Sequence, residues 1–201
     1  DETALRDLLQ MLVDHPEILE KFSVDASRVR SIEDDAQACM TSYRRLLSPE
    51  RITFITNPGL CNLSCPMCDT HSPLNEHRHE HPRSLPLMDF SLIKRTVQEL
   101  SPLGLKEIIP STMGEPLLYP HFNDVLALAA ETGVTLNLTT NATFPNGSVE
   151  SWAERLLPVL SDVKFSLNAI DPEVNGRIMK GACTRTQLEN IERFLHLRDT
   201  F

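Results

Sequence analysis

Three cysteines close together carry the clearest chemistry in the chain. Cys61, Cys65 and Cys68 are spaced C-x-x-x-C-x-x-C within Cys61-Asn62-Leu63-Ser64-Cys65-Pro66-Met67-Cys68. Thiolates this close can share one metal centre, and soft thiolates select zinc or iron–sulfur clusters. A closed zinc site needs a fourth ligand, for which His71, Cys39 and Cys183 are the candidates. A four-iron cluster held by three cysteines would instead keep one iron open to a ligand. Closed sites hold structure and open sites do chemistry, and the spacing by itself leaves both readings standing. His71, His77, His79 and His81 also invite a metal reading. Asn75, Glu76, Arg78 and Glu80 interleave with them, so the stretch reads as a solvated loop or a substrate-side lid.

Composition limits what such a centre can serve. The chain has 201 residues, 41% apolar and 23% charged, with a net charge of −9. That is ordinary globular usage. No apolar run reaches the roughly 18 residues of a membrane span. Arg28, Arg30, Arg44 and Arg45 are too sparse for a basic stripe, so no nucleic-acid partner is expected. The five cysteines are an odd number, in an acidic chain whose start, Asp1-Glu2-Thr3, does not read as a signal peptide. That is no disulfide framework, and a reducing cytoplasm is the expected compartment.

The elements that must position the cysteines follow from periodicity. Leu5, Leu8, Leu9 and Leu12 recur at helical spacing, Pro16 interrupts, and Ile18, Leu19 and Phe22 follow. A second helix is expected from about Ser27 to Leu47, ending before Pro49. Residues 1–50 thus form an N-terminal helical extension, and 51–201 the main domain. There, Ile52–Thr56 reads as a strand, and the cysteine loop follows it. A helix capped by Asp89 comes next, with Phe90, Ile93, Val97 and Leu100 inward. Leu105–Ile109 is a strand, and His121–Thr132 a helix with Phe122, Val125, Leu126 and Ala129 inward and Gly133 as its stop. Val134–Thr140 is a strand, and Ser148–Leu160 a helix with Val149, Trp152, Leu156 and Leu160 inward. Val163–Leu167 is a strand, and Thr184–Leu197 a helix with Leu188, Ile191 and Leu195 inward. Such alternation predicts a parallel sheet with right-handed crossovers, either doubly wound or a (β/α) barrel. In both, function sits at the C-terminal strand ends. The segments to watch are Asn57–Cys68, Pro110–Pro120, Asn141–Pro145 and Asn168–Arg177.

With the cysteines placed after the first strand, the chain resembles the radical S-adenosylmethionine (SAM) superfamily from about Arg51 to Leu197. Ser111-Thr112-Met113-Gly114-Glu115-Pro116-Leu117, after the second strand, is similar to that family's Gly-Gly-Glu-Pro segment. Thr140-Asn141 resembles a common pair after its third strand, and Phe165-Ser166-Leu167-Asn168 resembles the segment of its fourth. Met113 departs from the pattern, standing where the family has its first glycine; Gly114 keeps the second. Backbone approach to a ligand favours a missing side chain there, so SAM binding is expected to survive with an altered wall.

The resemblance implies an α/β fold, a partial (β/α) barrel of radical SAM type with about four βα units present. It implies a 4Fe-4S cluster on Cys61, Cys65 and Cys68, and SAM as the other cofactor. Glu115, with Gly114 and Pro116, would meet the SAM amino group. Arg177 would lie near its carboxylate, Met67 near its adenine, and Asn141, Ser166 and Asn168 near the remainder, the strand-four tip at the ribose. The implied activity is reductive cleavage of SAM to methionine and a 5′-deoxyadenosyl radical, which abstracts hydrogen from a peptide or small metabolite. The electron donor would be of flavodoxin or ferredoxin type. A complete barrel of the family has further strands, so the chain is expected to be truncated before a fifth, with any auxiliary-cluster domain beyond Phe201. The competing reading is a zinc-stabilised βα-domain that binds a partner without catalysis.

Overall fold

A computed structural model describes residues 2–18, 30–75, 85–110 and 113–201. Leu19, Phe22, the expected helix start at Ser27, His77, His79, His81, Ser111 and Thr112 lie outside the described residues. The chain divides into two compact units, Asp1–Leu46 and Leu47–Phe201.

The first unit carries α1 (Glu2–Asp14) and most of α2 (Ile32–Leu47), and no described residue of either helix is buried. Ser31 caps α2. Its hydroxyl accepts from Asp34 N–H at 3.0 Å, while Asp34 accepts from Ser31 N–H at 3.3 Å. This reciprocal box fixes the helix start at residue 32.

The second unit runs β1 (Arg51–Thr53), α3 (Phe90–Leu100), β2 (Glu107–Ile109), α4 (Phe122–Thr132), β3 (Thr135–Thr140), α5 (Val149–Leu156), β4 (Leu160–Phe165), α6 (Pro172–Ile178) and α7 (Thr184–Thr200). All neighbouring strand pairs are parallel and the spatial order is β1-β2-β3-β4. A doubly wound sheet reverses direction at a switch point. This one advances strand by strand, as a barrel does, and so matches the partial (β/α) barrel.

The expected inward residues of α3 and α4 pack as the pattern requires. Ile93 and Val97 are buried on α3, and Phe122, Val125, Leu126 and Ala129 on α4. Asp89 caps α3 by accepting from Ser91 N–H at 2.8 Å. Gly133 ends α4 at φ 70°.

Other boundaries differ, for local reasons. β1 stops at Thr53, although Phe54 N–H still reaches the Ile109 carbonyl at 2.9 Å. Beyond it Pro110 has no N–H to continue a ladder, and the Thr56 hydroxyl takes the Pro110 carbonyl instead, at 2.6 Å. The helix expected to reach Leu160 ends at Leu156, because Pro158 follows. Leu160 opens β4, so that strand starts and ends earlier than the expected Val163–Leu167. Between Leu136 and Asn137 the β3–β4 register shifts by one residue of β4, and the bypassed Ser161 donates its hydroxyl to the Leu136 carbonyl at 2.8 Å. Helix α6 falls where the sequence suggested only a post-strand segment. Asp171 caps it, accepting from Val174 N–H at 2.8 Å, with Pro172 at its first position. On α7 the inward face is rotated: Thr184, Gln187 and Phe194 are buried, whereas Leu188, Ile191 and Leu195 are only half-buried.

Candidate functional site

A cavity of about 660 Å³ opens at the C-terminal ends of the four strands. Cys61, Cys65 and Cys68 line it from the loop after β1, and Gly114 and Glu115 from the loop after β2. Thr140 and Asn141 contribute from the tip of β3, and Ser166 and Asn168 from beyond β4. Met67, Leu63, Phe165 and Met179 give it apolar surface. Every segment picked from the sequence reaches this wall. Two expected residues do not: Pro116 is buried as the start of a short 3₁₀ turn (Pro116–Leu118), and Arg177 is exposed on α6.

The cysteine loop is held by backbone bonds at both ends. Leu60 N–H donates to the Asn57 carbonyl at 3.0 Å, Glu115 N–H to Leu60 at 2.8 Å, and Ser64 N–H to Lys180 at 2.9 Å. Leu63 is buried between the first two cysteines. Gly114 sits against the start of this loop at φ 77°, and a Cβ there would collide with the carbonyl oxygens of Asn57 and Leu60, the latter at 2.6 Å. The glycine is therefore required by the approach of two protein segments, in addition to its place on the cavity wall.

All five cysteines are free thiols. Burial, opposed by the Leu63 N–H and aided by the charges of Glu115, Cys65 and Cys68, pushes Cys61 up to about 11. Burial, with the charge of Cys68, also raises Cys65. Leu63 N–H points at the Cys61 sulfur at 3.4 Å and His71 N–H at the Cys68 sulfur at 3.3 Å. These contacts suit sulfurs that carry negative charge, and a cationic metal centre would relieve their mutual repulsion.

Among the described residues no three Cys, His, Asp or Glu side chains converge on a point that one ion could occupy. The three thiolates on one wall are the soft donor set that zinc or an iron–sulfur cluster takes. Of the candidate fourth ligands, His71 donates Nε2–H to the Pro58 carbonyl at 3.0 Å. Cys183 is exposed at the N-terminus of α7, and Cys39 is exposed on α2 in the first unit.

Glu115 is 1% exposed. Its carboxylate accepts from the Thr140 hydroxyl at 2.7 Å, from Asn141 N–H at 2.8 Å and from Leu117 N–H at 3.2 Å. Burial raises its pKa above the ordinary carboxyl value, with the three donors pulling the other way. A cation entering the cavity would favour the charged form.

Sequence reasoning passed over several polar residues here. Asn57 Nδ2 donates to the Glu115 carbonyl at 2.7 Å. Asn62, between the cysteines, accepts from Asn141 Nδ2 at 2.8 Å and donates to the Thr143 hydroxyl at 2.9 Å. Asn57 reads locally as a strand stop and Asn62 as a spacer, so no local signal marks either one.

The family model for the Radical SAM superfamily matches residues 58–198. No curated protein matches the chain. Crystal structures of Streptococcus suis SuiB, alone and bound to S-adenosylmethionine, share the fold at a TM-score of 0.59 each, with 16% and 17% identity. They cover 95% of this chain and 42% and 43% of SuiB. SuiB bound to its precursor peptide SuiA matches at 0.58 and 16% identity, covering 95% of this chain and 43% of that one. The chain therefore spans less than half the length of SuiB.

Proposed function

The chain belongs to the radical SAM superfamily, and from that premise we propose that Cys61, Cys65 and Cys68 hold a 4Fe-4S cluster beside a SAM molecule in the same cavity. The observation that carries this reading is the shared wall: three free thiols, a buried carboxylate and the polar tips of β3 and β4 face one space. The chemistry a bound, reduced cluster would supply is the electron for cleaving SAM to methionine and a 5′-deoxyadenosyl radical, which would take hydrogen from an organic substrate.

The residues of this chain bind, orient and exclude water. The three cysteines would lose their protons on ligation, and burial opposes that loss at Cys61 and Cys65. Glu115 meets the SAM ammonium with the lone-pair capacity its three donors leave unused. Its charge, disfavoured by burial, is stabilised by that contact. Asn141, Ser166 and Asn168 offer polar atoms to SAM from the strand tips, and Met67 offers apolar surface to its adenine. Arg177, exposed on α6, is given no part.

The substrate class is a peptide or a small metabolite. The complex of SuiB with its precursor peptide supports placing a peptide first. A flavodoxin- or ferredoxin-type donor and a cytoplasmic setting complete the proposal; among the described residues, no helix is long and apolar enough to cross a membrane.

Anaerobic reconstitution tests the reading. A brown protein that converts SAM to 5′-deoxyadenosine with a reductant is expected, and Cys65→Ala should abolish both colour and product. A colourless protein holding a single zinc would overturn it in favour of a structural metal domain.

A further inference from the structure

Two buried side-chain amides behind the cavity have no part in the reading so far. Asn175 on α6 and Gln187 on α7 are each 0% exposed. Neither lines the cavity. Gln187 Nε2 donates to the Asn141 carbonyl at 2.7 Å and to the Ser166 carbonyl at 3.3 Å. One NH₂ group thus spans the tips of β3 and β4. Asn175 Nδ2 donates to Gln187 Oε1 at 2.9 Å and to the Thr184 hydroxyl at 3.0 Å. Asn175 Oδ1 accepts from Asn168 N–H at 3.3 Å. The chain of bonds therefore ends on Asn141, Ser166 and Asn168, all three on the cavity wall.

A second feature shows why the tips need holding. Directly after Asn141 the backbone enters the left-handed region at three non-glycine residues, Ala142 (φ 60°), Phe144 (φ 46°) and Asn146 (φ 61°). Such conformations persist only where surrounding structure over-determines them. Helix α7 supplies that constraint along one face. Gln187 holds the Asn141 carbonyl, Asn190 Nδ2 holds the Ala142 carbonyl at 2.8 Å, and Phe194 stacks on Phe144 with ring centroids 5.7 Å apart. Buried amides are costly unless fully paired, and an apolar pair would fill a core with less penalty. What the amides add is a fixed distance between two strand tips.

We propose that Gln187 and Asn175 are positioning residues. Their amides set the spacing of the β3 and β4 tips, and through it the affinity of the cavity for SAM, without touching SAM. This rests on the reading of the cavity as a SAM site.

The test uses the full chain, reconstituted anaerobically, as wild type, Gln187→Met, Asn175→Asp and Val97→Ala. Gln187→Met keeps the side-chain length but removes the donor. Asn175→Asp keeps the acceptor for Asn168 N–H but removes the donor to Gln187. Val97→Ala is a core truncation on α3 that touches none of these groups. Iron per chain, the thermal midpoint and the SAM dissociation constant by equilibrium dialysis are measured for each. Gln187→Met and Asn175→Asp should weaken SAM binding about tenfold or more, with iron content unchanged. Val97→Ala should lower the thermal midpoint with SAM affinity intact. Wild-type affinity in both amide variants would overturn the proposal alone, as would an equal loss of affinity in Val97→Ala. Wild-type protein that holds iron but binds no SAM would overturn the SAM-site reading and the proposal with it.

Discussion

Burial and hydrogen bonding pull two of the cysteines in opposite directions. Cys61 is pushed up to about 11 by burial, whereas the Thr186 hydroxyl and N–H lower the exposed Cys183. Without metal, iodoacetamide at neutral pH should therefore label Cys183 faster than Cys61, as read by mass mapping; the reverse order would contradict the site geometry. The sign of the linkage follows. A thiol whose folded pKa is raised stabilises the fold while protonated, fully below the usual 9.0, and loses that contribution as pH climbs toward about 11. Compared with Cys61→Ser, the metal-free wild type should show a falling urea midpoint across that window. The cysteine cluster was legible from spacing because three thiols on one loop are local in the sequence. Glu115 was legible as a residue of the strand-end loop that lines the cavity, but its three donors come partly from the distant tip of β3, and no local pattern shows them.

At the scale of elements, turn and cap chemistry decides most of what can be read. Gly114→Ala should cost more than about 2 kcal/mol, because a side chain at positive φ meets backbone that cannot move away. The urea midpoint of the metal-free chain measures the loss. Ser148 caps α5 by accepting from Ser151 N–H at 3.2 Å. Ser148→Ala should cost about 1 kcal/mol while leaving iron content unchanged, a contrast with Gly114→Ala that separates helix stability from site integrity. The caps at Asp89 and Gly133 were visible in the sequence. The signals that Pro158 ends α5 and that Asp171-Pro172 starts α6 were also present, but the continuing apolar period through Leu160 and the wait for a strand at Val163 masked them. The inward face of α7 departs from its apolar period for a different reason. Periodicity counts apolar residues, and this helix turns an amide, Gln187, toward the sheet.

At the scale of the whole molecule, the chain divides into two compact units. Ile108 is 0% exposed at the centre of β2 in the second unit, whereas Leu8 of α1 is 52% exposed. Ile108→Ala should cost about 2–5 kcal/mol, and Leu8→Ala should stay within about 0.5 kcal/mol. Paired denaturation curves followed by far-UV circular dichroism, which reads the helices of both units, check both values. The sequence by itself determined the βα rhythm, the cysteine loop after the first strand and the segments that form the site. Each of these is written in short-range spacing, of apolar residues, thiols and turn residues. Tertiary structure alone decided the strand order that makes the sheet barrel-like. It also decided which polar residues hold the site: Asn57 and Asn62 beneath and beside the cysteine loop, and Asn175 and Gln187 behind the strand tips. Those bonds join residues as far apart as 81 positions, and the pairing exists only once the strands have brought their ends together.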